Sequence, residues 1–114
     1  MSIERNTELA LDSLAKEIKR ARAKFPGNAM LLEALGEEVG ELARAFTGDG
    51  HVQAEAIQVA CVAIRIATEG TTMPRPSVLA LARELEALAR EVMKFEESNA
   101  YVVPKQLIVV ENFR

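Results

Sequence analysis

The stretch LGEEVGELARAF, Leu35 to Phe46, puts three glutamates on one short helical segment. At about 100° per residue, Glu37 falls on a polar side with Glu33 and Arg44, as a solvated face requires. Glu38 does not. It lands inside the arc of Leu31, Ala34, Leu42 and Ala45, and Glu41 sits about 60° away at the edge of that arc. A carboxylate on an apolar stripe is costly to bury unless it has a partner, so Glu38 calls for one.

Glu38 and Glu41 stand at i and i+3, so both side chains leave one helix face and can reach a common point. Further along, Glu55 and Gln58 repeat the spacing. If the two helices run antiparallel, as the short turn between them favours, the four oxygen-bearing side chains face one another. Carboxylate oxygens suit a hard cation, Mg²⁺ or Mn²⁺. One histidine and one cysteine in the whole chain are too few for a zinc site. Against this stands a plainer alternative. Glutamate is a strong helix former, and Glu55, Gln58, Arg65 and Glu69 form one narrow polar stripe that could simply be the wet side of its helix. The apolar neighbours of Glu38 are what solvation fails to explain.

The elements that must position these groups are helical. In TELALDSLAKEIKRARAKF the series Leu11, Leu14, Ile18, Ala21, Phe25 steps by three and four, with Lys16, Lys19, Arg20, Arg22 and Lys24 mostly elsewhere on the wheel. Pro26-Gly27 ends that helix. Asn28 is the expected N-cap of a second helix running to about residue 47, and Gly48-Asp49-Gly50 is a turn. A third helix, Val52 to Glu69, is apolar on nearly all sides, which predicts a central position, and Gly70 closes it. TTMPRPS is a rigid connector with Ser77 placed to cap a fourth helix, VLALARELEALAREVMKFEES. Gly36 and Gly40, one turn apart, would let a neighbouring helix approach the second, although that spacing is weak evidence alone. These signals predict an all-α four-helix bundle over residues 1–99. The β-branched, apolar run YVVPKQLIVVENF after Asn99 predicts that residues 100–114 pack on the bundle or on a neighbouring subunit.

With 114 residues there is room for one domain, and a net charge of −3 offers no general attraction for a nucleic-acid polymer or an anionic membrane. A phosphate-bearing partner would have to be attracted locally, which a metal can do. Cys61, in QVACVAIRI, reads as a small buried hydrophobe. The N-terminal residues lack a signal-peptide core, no run approaches the ~20 apolar residues of a membrane span, and the expectation is a cytoplasmic protein. No glycine-rich phosphate loop is present.

The run ALGEEVGELARAF, followed after a short turn by AEAIQVACVAIRIA, resembles the MazG-like all-α nucleotide pyrophosphohydrolases, whose pattern is ExxE on one helix and ExxD on the next. The likeness covers the second and third helices closely, and the first with KFPGN more loosely. It implies Mg²⁺-dependent hydrolysis of a nucleoside triphosphate or related nucleotide to a monophosphate and pyrophosphate. Glu38 and Glu41 correspond to the first pair of metal ligands, with one of them as general base, and Glu55 to the first member of the second pair. Gln58 stands where the family has aspartate; its amide oxygen can ligate but brings no charge. Glu37 is either an outer member of the cluster or a surface residue. Lys94, Lys16 and Lys19, with Lys24, are candidates to meet the phosphate charge, although such a residue is more often an ordinary solvated lysine. The resemblance further implies a homodimer or homotetramer that completes the bundle. Two rivals stand beside it: a degenerate member that binds nucleotide or metal with little turnover because of Gln58, and a helical interaction module in which Arg65 or Arg44 neutralises Glu38.

Overall fold

The computed structural model describes residues 2–94. All regular elements there are helices, and they fall into two compact units, the chain passing from one to the other between Thr72 and Met73. The first unit holds α1 (Ile3–Lys24), α2 (Leu31–Arg44) and α3 (Val52–Glu69); the second holds α4 (Arg75–Met93). The expected extension 100–114 lies outside the described residues.

In the first unit α3 packs against both α1 and α2, as its nearly continuous apolar surface predicts. Side-chain bonds show the chain direction. Arg22, near the end of α1, reaches Thr68 and Glu69 at the end of α3, and the start of α2 is tied to residues 69–72. The three helices therefore run up, down and up, and α2 and α3 are antiparallel.

Helix ends depart from the expected caps in instructive ways. Ser2 caps α1, its Oγ accepting from the Arg5 amide at 3.1 Å. Asn28 does not cap α2. Its Nδ2 donates instead to the Glu69 carbonyl at 2.7 Å, and the N-cap position is Met30, in a left-handed conformation with φ 59°. The amides of Leu31 and Leu32 are satisfied by Thr71 Oγ1, at 3.0 and 3.3 Å. A residue 40 positions away in sequence thus does the capping. The Met30 amide donates to the Thr72 carbonyl at 2.9 Å, making a parallel bridge between the two connectors that holds Met30 in a conformation disfavoured by ~1 kcal/mol or more. At its other end α2 widens into a π turn, Ala45–Asp49, which breaks where Gly48 takes φ +100°. Gly70, φ +73°, ends α3.

The Arg65 side chain organises the connector end of this unit. Only 4% exposed, it donates Nε and Nη2 to Glu69 at 2.9 and 3.1 Å, and Nη2 also reaches the carbonyls of Phe25 at 3.0 Å and Gly27 at 2.8 Å. Glu69 additionally accepts from Arg22 Nε at 2.9 Å. Polar groups withdrawn from water here receive partners in return, as burial demands. The polar stripe of α3 is therefore not simply its wet side, since Arg65 is buried and Glu55, Gln58 and Glu69 are half-buried.

In the second unit, α4 begins at Arg75, earlier than a Ser77 cap would place it, with Pro74 at the N-cap and Pro76 in the first turn. Leu85, Leu88 and Val92, spaced by three and four, are exposed.

Hydrogen bonds from Arg65 and then Arg22 hold the Glu69 carboxyl down at about 2. A depressed carboxylate contributes stability that is complete above its unfolded value, about 4.5, and is lost as pH falls through the folded value. The stability gap between the parent and Glu69→Gln should be constant above about pH 5 and close progressively toward pH 2, as read by urea unfolding at each pH. A gap independent of pH over that range would contradict the assigned pairing.

Candidate metal centre and adjoining cavity

Glu38 and Glu41 come from the second half of α2 and Glu55 from the first turn of α3. Because the two helices are antiparallel and joined by a short turn, these stretches are apposed. One carboxylate oxygen from each of the three residues lies within 4.8 Å of the others, and all three residues are half-buried. Octahedral ligands at ~2.1 Å from an ion stand about 3.0 Å apart when adjacent and about 4.2 Å when opposite, so this spacing can close on a small divalent cation with slight side-chain adjustment. An all-oxygen, charged donor set fits Mg²⁺ or Mn²⁺ and not a thiophilic ion. Like charges this close repel, and a cation among them would relieve that repulsion.

A cavity of about 610 Å³ adjoins the cluster, sharing Glu38 with it. Gln58, one turn beyond Glu55 on α3, lines this cavity, as does Glu37. The other walls come from Arg20 and Ala21 of α1, the connector Phe25 to Ala29, and Cys61 and Arg65 of α3. Its size is that of a small-molecule site, ample for a nucleoside.

None of Lys16, Lys19 and Lys24 lines this cavity. Lys16 is exposed and pairs with Asp12 at 3.2 Å, Lys19 is exposed, and Lys24 stands 5.4 Å over the ring of Phe25. Lys94 follows α4 in the second unit and pairs with Glu91 at 2.9 Å. The cations that do line the cavity are Arg20 and Arg65. Of the two basic residues considered as neutralisers of Glu38, Arg44 is exposed and Arg65 commits Nε and Nη2 to Glu69 and the connector carbonyls. Cys61 is 1% exposed, and its thiol is pushed up first by burial and then by the Glu17 carboxylate, which keeps it protonated and poorly nucleophilic. The expectation of a small buried hydrophobe holds.

Glu17 is the polar residue that composition and spacing did not single out. It is 1% exposed at the buried side of α1. The helical-wheel test that selects Glu38 would have flagged it, because Leu14, Ile18 and Ala21 lie beside it on the wheel. Arg20, by contrast, carries no signal separating it from the other basic residues of α1.

Comparison with protein-family models, with curated proteins and with solved structures finds no match to this chain.

The carboxylate cluster makes a thermodynamic prediction. Millimolar Mg²⁺ or Mn²⁺ should raise the melting temperature of the parent by several degrees, about 2.7 kcal/mol when the ion is at a hundredfold its Kd. Glu38→Ala should lose most of that shift. Equal shifts in parent and variant, or none in either, would remove the cation from the site.

Proposed function

We propose that this chain is a Mg²⁺-dependent nucleotide pyrophosphohydrolase of the MazG-like type, cleaving a nucleoside triphosphate or a related nucleotide to a monophosphate and pyrophosphate. The observation that carries the reading is the convergence of Glu38, Glu41 and Glu55 beside a cavity of nucleoside size. It is the arrangement expected from ExxE on one helix facing a second acidic helix. In this reading Glu38, Glu41 and Glu55 hold the ion, with the Gln58 amide oxygen as a neutral fourth donor. The ion, when bound, supplies neutralisation of polyphosphate charge that an acidic site would otherwise repel, and lowers the pKa of water beside it. Glu38 or Glu41 accepts the proton from the attacking water. The water oxygen bonds to the α-phosphorus, the bond from that phosphorus to the bridging oxygen breaks, and pyrophosphate departs with the electron pair.

Assembly into a homodimer or homotetramer belongs to the same proposal. Its support is the amount of apolar surface left open: Ile3, Leu11, Val39 and Ile64 in the first unit, and Leu79, Leu85, Leu88, Val92 and Met93 on α4. No described helix is long and apolar enough to cross a membrane.

Gln58 favours a second reading, a nucleotide- or metal-binding protein with little turnover, since an amide removes one negative charge from the donor set. A single assay separates them. Pyrophosphate release is measured over a panel of standard, deoxy and modified nucleoside triphosphates with Mg²⁺ or Mn²⁺, for the parent, Glu38→Ala and Gln58→Asp. The enzyme reading expects release by the parent and a loss of a hundredfold or more in Glu38→Ala. Activity that appears only in Gln58→Asp would establish the binding protein. No release from any of the three would leave a helical interaction module.

A further inference from the structure

We infer that Arg20 is the oxyanion-binding residue of the cavity and that buried Glu17 is the positioning residue that aims its guanidinium; as a statement about phosphate-bearing ligands this rests on the function proposed above. Arg20 lines the cavity and its side chain is 41% exposed, so its charge is reachable from the ligand side. Its inner edge is occupied. Nε donates to Glu17 Oε1 at 2.7 Å, and Nη2 pairs with the same oxygen. A guanidinium has five N–H donors in a rigid plane, and among the described residues Nη1 has no partner. The arginine is therefore held along one edge and open along another, which is the arrangement that presents a planar fork to a phosphate or carboxylate.

Arg65, the cavity's other cation, already commits Nε and Nη2 to Glu69 and two carbonyls, which makes it a structural strut.

Glu17 supplies an independent observation. Its side chain is fully buried, and among the described residues its second oxygen meets no partner and its one ion pair is with Arg20. A buried carboxylate satisfied at one oxygen is a poor way to stabilise a helix packed on α3, where an apolar residue of similar size would serve better. Its retention is accounted for by what it does to Arg20: the i, i+3 pair removes the arginine's rotamer freedom before a ligand arrives.

The test is calorimetric titration with inorganic pyrophosphate, with and without Mg²⁺, of the parent, Arg20→Gln, Arg20→Lys, Glu17→Leu and the double variant Glu17→Leu/Arg20→Gln. Melting temperatures are recorded beside each titration. Arg20→Gln should weaken binding about tenfold or more, the usual loss for a charge-assisted hydrogen bond, and Arg20→Lys should recover part of it. Glu17→Leu should weaken binding severalfold while leaving the melting temperature equal or higher, a combination that a merely structural glutamate does not produce. In the Arg20→Gln background Glu17→Leu should have no further effect on affinity.

Pyrophosphate binding that is absent from the parent in both conditions, or unchanged in Arg20→Gln, overturns the proposal. So does a Glu17 effect that persists without Arg20. Failure of the enzymatic reading looks different: pyrophosphate binds in an Arg20-dependent way, yet no nucleotide of the panel is cleaved.

Discussion

The first unit depends on one buried cation. Arg65 projects from α3 into the junction where α1 ends and α2 begins, and there it meets the carbonyls of Phe25 and Gly27 while Glu69 balances its charge. Those carbonyls belong to a proline- and glycine-containing turn that cannot bond within a helix, and Arg65 supplies them with a donor. Because Glu69 also takes Arg22, the same ion pair joins the ends of α1 and α3. Two chain segments distant in sequence, around residues 22–27 and 65–69, are thereby held through one ion-paired guanidinium, a task for which a lysine's point charge is unsuited.

From that anchor the remainder of the site follows. With the Phe25–Gly27 turn held, α2 must start beside the end of α3, where Thr71 caps it, and must run back along α3 in the opposite direction. Antiparallel packing is what apposes the late part of α2 to the early part of α3, and so gathers Glu38, Glu41 and Glu55. The anchored turn also forms one wall of the cavity. Opposite charges are paired at the connector end of the unit. The carboxylate cluster lies along α2 and α3, where Glu38, Glu41 and Glu55 converge.

Much of this was legible in the sequence. Helical periodicity located α1 to α3, closely for α3 and to within a few residues at the start of α1 and at both ends of α2, because apolar spacing, Pro26-Gly27 and Gly70 are local signals read over a few residues. Glu38 was marked by its apolar neighbours on the wheel. The caps were less legible: Asn28 and Ser77 are good cap formers by type, yet Asn28 turned to Glu69 and α2 was capped by Thr71. Side-chain type states what a residue can bond, whereas its partner depends on what the fold brings near.

The sequence by itself determined the helices, their breaks and the i, i+3 pairing of Glu38 with Glu41 and of Glu55 with Gln58, since each depends only on backbone geometry within one or two turns. Tertiary structure alone decided that Glu55 joins the first pair, that Arg65 is a buried strut while Lys16 and Lys19 stay in solvent, and that Arg20 is the basic residue of α1 that reaches the cavity. The six basic residues of α1, Arg5, Lys16, Lys19, Arg20, Arg22 and Lys24, are equivalent in composition. What distinguishes Arg20 is Glu17 three residues earlier, removed from water by packing against α3; the wheel marks Glu17 but not which basic neighbour will pair with it.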